Sequence, residues 1–194
     1  MANIAKFDRE EVIQKATNLY WEKGFHGTSM RNLQDVIDMR PGSIYASFGS
    51  KEGLFKEALA KYADMGLAHL AQCQQEAGSP LQALKLFVRH TIIDKSATAP
   101  SGMCMLAKTI SELTEENSEV LAEAQRLLGV MENAFLQVIE LAQEQGEVSE
   151  DKDPQKLARH VQIQIMGLRT YARANKGQAQ LNDMIDDIFK YHPF

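Results

Sequence analysis

Apolar side chains recur every three or four residues along most of the chain, which is the spacing of one face of an α-helix. Val12, Ala16 and Leu19 form the first such stripe, between a capping Asp8 and a stop at Gly24. No segment alternates apolar and polar residues as a strand does, and no Asn-Gly or Asp-Gly hairpin turn occurs, so an all-α fold is predicted. The predicted helices span residues 8–23, 28–38, 41–48, 51–77, 79–95, 103–113, 117–145, 153–175 and 181–191.

The third predicted helix is short and follows the second after a tight turn. Pro41 suits a first helical position, and Gly49 ends the helix about two turns later. Only Ile44 and Phe48, four residues apart, are strongly apolar core positions. Two short helices at this spacing predict a helix-turn-helix at about residues 29–48. The second helix of such a pair lies in the major groove of DNA, a cleft about 12 Å wide.

The side chains that remain outside this core are small, hydroxylated or cationic. A helix that enters the groove needs such groups near base edges and phosphates, and a helix N-terminus favours a phosphate. A small three-helix packing unit with no role in DNA binding is the alternative interpretation. The predicted DNA-binding residues are Thr28, Arg31, Arg40, Ser43, Tyr45, Ala46, Ser47 and Lys51.

The segment FDREEVIQKATNLYWEKGFHGTSMRNLQDVIDMRPGSIYASFGSKEGLF resembles the DNA-binding domain of the TetR family of bacterial repressors. The resemblance implies a nine-helix, Ω-shaped homodimer that binds a palindromic operator in double-stranded DNA and is released by a small-molecule effector. We place the DNA-binding domain at residues 6–66 and the larger C-terminal helical domain, for ligand binding and dimerisation, at residues 67–194. The landmarks that match are Gly24-Phe25, Thr28, Ile37, Gly42-Ser43, Tyr45, Phe48 and Ser50-Lys51-Glu52.

Two positions depart from the commonest pattern of the family. Pro41 stands where a lysine is frequent, and Ala46 stands where a histidine is frequent. Fewer base contacts are therefore expected, although the Ala46 methyl group suits contact with a thymine methyl. The resemblance implies that the residues in contact with phosphate groups are Thr28, Ser43, Tyr45 and Lys51. It also implies that residues 40–47 read the bases.

The charge of the chain changes this interpretation little. The net charge is −5, which argues against binding of nucleic acid driven by composition alone. Residues 1–55, however, carry seven Lys or Arg and seven Asp or Glu, so the excess acidity lies beyond them. The chain has no signal-peptide pattern and no apolar run near the ~20 residues of a membrane span. Two cysteines suit a reducing compartment, so a cytoplasmic protein with no membrane partner is expected.

The predicted C-terminal domain carries thioether and aromatic side chains that suit an adaptable apolar cavity. Cys104 stands among them and resembles the Gly-Cys of a TetR-type subgroup, some of which sense electrophiles or oxidants, although Met103 separates it from Gly102. A thiol-based redox-sensing repressor needs a nearby cation, such as Lys108 or Arg173, and a buried, unreactive thiol is the alternative. The candidate effector-binding residues are Met65, Phe87, Cys104, Met105, Met131, Phe135, Met166 and Tyr171.

The last two predicted helices carry repeated apolar positions that indicate an interface between two chains. In the implied architecture, residues 153–191 form a four-helix interface around a two-fold axis. The two groove-reading helices then face half-sites about 34–36 Å apart, or a multiple of that distance. The apolar positions are Leu157, Val161, Ile165, Leu168, Leu181, Ile185, Ile188 and Phe189.

Other groups with chemical potential are sparse. His69 and Cys73 are four residues apart on a predicted helix, a spacing that two metal ligands can use, but no second pair lies nearby in the sequence. No Gly-rich phosphate loop or nucleophile elbow occurs. The sequence therefore predicts no metal, no cofactor and no enzyme. The rival interpretation is an all-α enzyme or a lipid- or small-molecule-binding protein that uses the C-terminal cavity, which leaves the predicted DNA contacts unexplained.

Overall fold

Helices dominate the computed structural model, which describes residues 8–94, 99–175, 179–190 and 193–194. Within these residues there is no strand, so the all-α prediction is confirmed. A π-helical turn, His90–Asp94, extends the fifth helix, and a 3-10 turn, Glu115–Asn117, precedes the seventh. The nine α-helices are α1 (Arg9–Lys23), α2 (Met30–Ile37), α3 (Pro41–Phe48), α4 (Lys51–Glu76), α5 (Pro80–Arg89), α6 (Met105–Glu112), α7 (Ser118–Glu144), α8 (Pro154–Ala174) and α9 (Ala179–Lys190).

Local signals in the sequence explain where these helices begin. The side chains of Asp8, Ser50 and Asp153 accept hydrogen bonds from amides in the first turns of α1, α4 and α8. Ser29 and Asn32 form a reciprocal capping box at the start of α2. Each of these caps satisfies amides that have no partner inside the helix, which fixes the starting residue.

The first three helices pack around a small core that also includes the start of α4. Leu33, Ile37, Ile44 and Phe48 are all buried in it, as their spacing predicts. Val36, an apolar residue three positions after Leu33 on α2, is however 40% exposed. Helix α2 has only eight residues and packs on one side, so Val36 faces away from the core. The buried face of α2 is therefore narrower than the spacing of its apolar residues indicates.

Helix α4 passes from the first three helices into the C-terminal ones without a break. The predicted division between residues 66 and 67 therefore falls inside this helix, while the predicted first residue of the domain, residue 6, lies outside the described residues. The helix packs against α1 at its beginning and against α5 and α7 farther along. The two parts of the chain therefore share one continuous helix and are not joined by a linker.

The C-terminal helices form a bundle in which α7 packs between α4 and α8, and α9 packs against α5 and α8. The predicted interface residues are mostly buried within this single chain and therefore belong to its own core. On the outer side of α8, the exposed apolar residue is Ile163, which is 54% exposed. Residues 176–178 and 191 of the predicted interface lie outside the described residues. Among the helices of the described ranges, none has the length and apolar character needed to cross a membrane. The buried predicted interface residues are Leu157, Val161, Ile165, Leu168, Leu181, Ile185 and Ile188.

Candidate DNA-binding surface and effector cavity

The turn between α2 and α3 determines which face of α3 is exposed. Asp38 ends α2 in the left-handed conformation, with φ 54° and ψ 44°, which a short polar side chain tolerates. Arg40 is extended and leads into Pro41 at the first helical position. Because Ile44 is fully buried and Phe48 nearly so, the remaining side chains of α3, apart from the half-buried Ser47, are exposed.

Five of the eight predicted DNA-binding residues are exposed, four of them on α3 or at its N-cap and Arg31 on α2. Arg31, Arg40, Ser43, Tyr45 and Ala46 are all exposed, and Tyr45 is 49% exposed although it is a large aromatic side chain. An exposed tyrosine in a row of small polar residues offers a hydroxyl and a ring edge to a partner rather than to a core. The surface formed by α3 and its flanking residues is called the α3 surface below.

Ser47 and Lys51 are half-buried and also hold the structure together. The Ser47 carbonyl accepts a hydrogen bond from the Arg9 guanidinium at 3.2 Å, which links α1 to the end of α3. The Lys51 ammonium donates to the Phe25 carbonyl at 2.7 Å and lies 4.2 Å above the Phe25 ring. Burial lowers the pKa of Lys51. An ammonium has three N–H donors, so the contact with Phe25 uses one of them.

Thr28 is placed differently from the prediction. Its side chain is fully buried, and its hydroxyl donates to the Gly24 carbonyl at 2.7 Å. The expectation of a Thr28 hydroxyl that faces a phosphate is therefore corrected for this conformation. The hydroxyl closes the turn between α1 and α2 instead, because the turn brings the Gly24 carbonyl next to Thr28, four positions later.

A cavity of about 150 Å³ lies between α1, α4, α5, α6, α7 and α8. This is close to the volume of an engineered cavity that holds benzene, about 150 Å³. Residues 99–102 contribute to its wall, beside the start of α6. The apolar part of the lining consists mainly of Trp21, Met65, Phe87, Leu106, Leu128, Met131, Phe135, Ile165 and Met166.

The polar end of the cavity is built around Arg169. Its Nη1 donates to the Tyr62 hydroxyl at 2.8 Å, and its Nε is buried without a hydrogen-bond partner. Burial raises the pKa of Tyr62, so the phenol stays neutral and does not balance the guanidinium charge. No carboxylate occurs among the described residues that line the cavity. The cavity therefore combines an apolar wall with a buried positive charge.

Six of the eight predicted effector-binding residues line this cavity: Met65, Phe87, Cys104, Met131, Phe135 and Met166. The other two do not, and the structure corrects them. Met105, the first residue of α6, is 1% exposed and packs in the core instead of lining the cavity. Tyr171 is 36% exposed on the outer side of α8.

The polar residues of the cavity have no recognisable signal in the sequence. Tyr62 and Arg169 meet across 107 positions of the chain, and no local pattern marks such a pair. The cation near Cys104 is Arg169 rather than the predicted Arg173, which is exposed one turn later on α8. His69 also borders the cavity. Its Nε2 atom lies 3.2 Å from Nδ1 of His90.

Helix α6 connects the cavity wall to the turn between α1 and α2. Its beginning, at Cys104 and Leu106, lines the cavity. At its end, the Glu112 carboxylate accepts hydrogen bonds from the Phe25 and His26 amides at 3.1 Å and 2.7 Å. Between them, Lys108 donates to the Glu22 carbonyl at 2.9 Å.

The same junction is tight from the side of α1. Trp21 donates its indole N–H to the Met103 carbonyl at 2.7 Å, just before α6. Gly24 has φ +81°, and a Cβ atom added there would lie 2.5 Å from the Glu112 carboxylate. Helix α6 therefore contacts both the cavity and the turn between α1 and α2.

Comparisons with known proteins agree with this geometry. Residues 12–58 match the family model described as bacterial regulatory proteins, tetR family. Residues 80–187 match a second model, described as the C-terminal domain of tetracyclin repressor-like proteins.

Two curated relatives are similar to the chain over different lengths. The HTH-type transcriptional repressor ComR of Escherichia coli (strain K12) is 26% identical over 189 residues, 96% of this chain and 90% of that protein. The HTH-type transcriptional repressor BdcR of the same strain is 40% identical over 57 residues, which is 29% of each protein. The higher identity is thus confined to a short segment.

The fold is also similar to that of a solved regulator bound to DNA. A cysteine mutant of the TetR family transcriptional regulator CifR, complexed with 26bp double-strand operator DNA, is 26% identical and superposes with a TM-score of 0.85. The superposition covers 97% of this chain and 98% of that one.

Proposed function

The chain belongs to the tetR family of bacterial regulatory proteins, and from that membership we propose that it is a sequence-specific DNA-binding transcriptional repressor, released from a palindromic operator by a small molecule. The observation that carries the proposal is the α3 surface. Tyr45, Ser43 and Arg40 are exposed there above a buried Ile44. A helix of this kind presents its first residues to base edges and its flanks to phosphates.

A homodimer is part of the proposal. A two-fold pair of chains places two α3 surfaces against the two halves of a palindrome. The outer side of α8 supports this, since Ile163 is exposed there and Gly167, four residues later, allows another helix to approach closely. The predicted segment 153–191 remains the proposed location, but its outer α8 residues make the contact while the residues buried within the chain support it.

The effector in this proposal is a small, mostly apolar molecule with an anionic group. The apolar wall accommodates about one aromatic ring. The anionic group pairs with Arg169, whose Nε has no hydrogen-bond partner and whose guanidinium suits bidentate contact with a carboxylate. Binding at this end displaces the start of α6, and the contacts of Glu112 and Lys108 carry the displacement to the α1–α2 turn.

A first experiment tests DNA recognition. Purified wild-type protein is incubated with a random duplex library at about 150 mM salt, because phosphate contacts make affinity strongly dependent on salt. A palindromic consensus is expected, with half-sites spaced by one turn of DNA or a multiple. Failure to enrich any sequence contradicts the proposal and favours the rival protein that only binds a small molecule.

The matched variants are Tyr45→Ala, on the α3 surface, and Lys56→Ala, on the same helix as Lys51 but five residues farther along. Tyr45→Ala is expected to weaken operator binding by about 1.5–3 kcal/mol, or ten- to hundredfold, if the hydroxyl bonds to a phosphate. Lys56→Ala is expected to leave affinity unchanged, since its ammonium pairs with Glu119. Equal behaviour of the two variants contradicts the assignment of the surface.

A second experiment tests the effector class. Benzoate is titrated against the wild type by calorimetry, with benzyl alcohol as the neutral control of similar shape. Arg169→Met is expected to lose benzoate binding, whereas Arg173→Met, on the exposed side of the same helix, is expected to retain it. Equal binding of benzoate and benzyl alcohol, or unchanged binding by Arg169→Met, contradicts an anionic effector.

Oxidation of Cys104 is a second candidate mechanism for release of the protein from DNA. Its thiol lines the cavity at the N-cap of α6, and Arg169 interacts with it electrostatically, as a sensing thiol requires. Cys104→Ser is expected to abolish any loss of operator binding caused by hydrogen peroxide while basal binding is unchanged. A response that survives this substitution contradicts thiol sensing.

A further inference from the structure

Three side chains with metal-binding atoms meet near the end of α4 that lies away from the α3 surface. His69 and Cys73 are one turn apart on α4, and His90 is the first residue of the π-helical turn. Nε2 of His69 lies 3.2 Å from Nδ1 of His90, and Sγ of Cys73 lies 3.8 Å from the same nitrogen. One possible ligand atom from each residue can be chosen so that all three lie within 4.8 Å of one another.

The two separations that involve His90 are those of a tetrahedral metal site. Metal–nitrogen bonds of about 2.0–2.1 Å and a metal–sulfur bond of about 2.3 Å put two nitrogens about 3.3 Å apart and a nitrogen and a sulfur about 3.6 Å apart. The observed separations of 3.2 Å and 3.8 Å are close to both values. A hydrogen bond between the two imidazoles explains the shorter distance but does not require the thiol beside them.

The surroundings of His90 resemble those of a histidine that binds a metal. Its other ring nitrogen, Nε2, lies 3.8 Å from the Asp94 carboxylate, one turn along the π-helical segment. Histidines that bind metals usually have a carboxylate or carbonyl near the second nitrogen, which orients the ring. Single π-helical turns also occur frequently at functional sites.

We propose that His69, Cys73 and His90 bind one transition-metal ion of borderline or soft character, and that Zn²⁺ suits this donor set best. Two imidazoles and a thiolate are ligands that Zn²⁺ accepts in tetrahedral geometry, whereas Mg²⁺ and Ca²⁺ require oxygen ligands. On binding, the Cys73 thiol releases its proton to solvent and the sulfur forms the metal–sulfur bond.

The location of the site sets what an ion there can do. The Cys73 side chain is fully buried, while the side chain of His90 is 26% exposed and gives a path from solvent. His69 also borders the apolar cavity, so the ion lies in the cavity wall. Three protein ligands leave a fourth tetrahedral position for water or for a donor atom of a bound molecule. The proposal concerns metal binding alone and does not depend on DNA binding.

The test uses the full-length protein, reduced and freed of metal, and titrates it with Co²⁺ as a spectroscopic substitute for Zn²⁺. One equivalent is expected to produce visible d–d bands of tetrahedral cobalt and a thiolate-to-cobalt charge-transfer band, and Zn²⁺ is expected to remove both. Cys73→Ser is expected to lose the charge-transfer band. Cys104→Ser, which changes the other cysteine of the chain, is the matched control and is expected to retain it.

Three results overturn the proposal: no charge-transfer band in the wild type, a band that survives Cys73→Ser, or a band lost in Cys104→Ser. Because Cys73 is buried, a second variant guards against a loss caused by misfolding. His90→Gln, at a partly exposed position, is expected to keep the circular dichroism of the wild type and to bind Co²⁺ at least about tenfold more weakly. Unchanged affinity in a folded His90→Gln protein rules out the three-ligand site.

Discussion

The α3 surface and the cavity in the C-terminal helices place their functional side chains in opposite ways. In α3, the apolar residues Ile44 and Phe48 point inward and complete a filled core, so the polar residues are held outward on a firm support. Around the cavity the apolar residues line an unfilled space, and the charged Arg169 points inward.

Under the proposed function, the difference follows from the partner that each region binds. A DNA groove has a fixed shape, so a recognition surface gains from a rigid base. A small molecule must be enclosed, so the cavity leaves packing contacts unmade until it is occupied. We therefore expect substitutions near α3 to act mainly on folding and DNA affinity, and substitutions near the cavity to act mainly on ligand affinity.

The largest expected effect compares one aromatic residue from each region. Phe55 is 1% exposed and packs against Tyr20 and Phe25, with ring centroids 4.5 Å and 5.1 Å away. Phe55→Ala is expected to lower the free energy of unfolding by about 3–5 kcal/mol. Phe87→Ala, in the cavity wall, is expected to cost less, because its ring already has empty space on one side. Urea denaturation of both variants measures the difference, and equal losses contradict the contrast between filled and unfilled packing.

The next effect concerns the junction between the two regions. Gly24 and Gly49 both have positive φ, but only Gly24 lies against Glu112. Gly24→Ala is expected to destabilise the protein by about 1–3 kcal/mol from backbone strain, with a further loss from the collision. Gly49→Ala carries strain without the collision and is the matched control. Thermal denaturation of the two variants compares them, and a larger loss in Gly49→Ala refutes the importance of the junction.

A smaller effect is expected from Glu112→Gln. The amide keeps the size of the side chain and one acceptor oxygen, but the Phe25 and His26 amides lose one charged partner. We expect a loss of about 0.5–1.5 kcal/mol in unfolding free energy. We also expect benzoate to release the variant from the selected operator less completely than the wild type, as measured by fluorescence anisotropy. Full release would show that the signal does not pass through Glu112.

The smallest effect concerns an ion pair far from both regions. The ammonium of Lys85 lies 3.0 Å from the Asp186 carboxylate and lowers the pKa of that carboxyl, and the nearby Arg89 guanidinium lowers it further. A lowered pKa in the folded state stabilises the protein above the pKa of the unfolded chain, and this stabilisation is lost as the pH falls through the folded pKa.

Because the Asp186 side chain is 46% exposed, the ion pair is worth at most about 1 kcal/mol. Asp186→Asn is thus expected to be slightly less stable than the wild type at pH 7 and equally stable near pH 2. A difference in stability between the two proteins that grows toward acid pH contradicts this role of the ion pair. Denaturation curves at both pH values provide the comparison.

The two regions also differ in how far the sequence predicted them. The bounds of α3 depend on signals within ten residues, namely Pro41, Gly49 and Ser50, so the helix-turn-helix was predicted closely. Thr28 was misplaced because its exposure depends on one hydrogen bond across the turn to Gly24, and the spacing of residues does not determine the direction of a hydroxyl.

The cavity depends on contacts between distant parts of the chain. Residue type identified Met131 and Phe135 as lining residues, but it identified Met105 equally well, although that side chain packs in the core. Tyr62 and Arg169 each look like an ordinary helical residue in the sequence, and only the packing of α4 against the other helices brings them together. The same holds for His90, which lies 17 positions from Cys73 and which no spacing rule connects to it.

Under the proposed function, helix α4 is long enough to act as a lever. Its 26 residues run unbroken for about 39 Å at about 1.5 Å per residue, so each degree of tilt moves the far end by about 0.7 Å. A rotation of about five degrees pivoted near His69 and Cys73 would shift Lys51 and the adjoining α3 by about 2.5 Å, since some 18–22 residues lie between them. Two chains moving in opposite directions would double that change in the separation of their recognition helices, and the repeat of the DNA they must match would stay fixed.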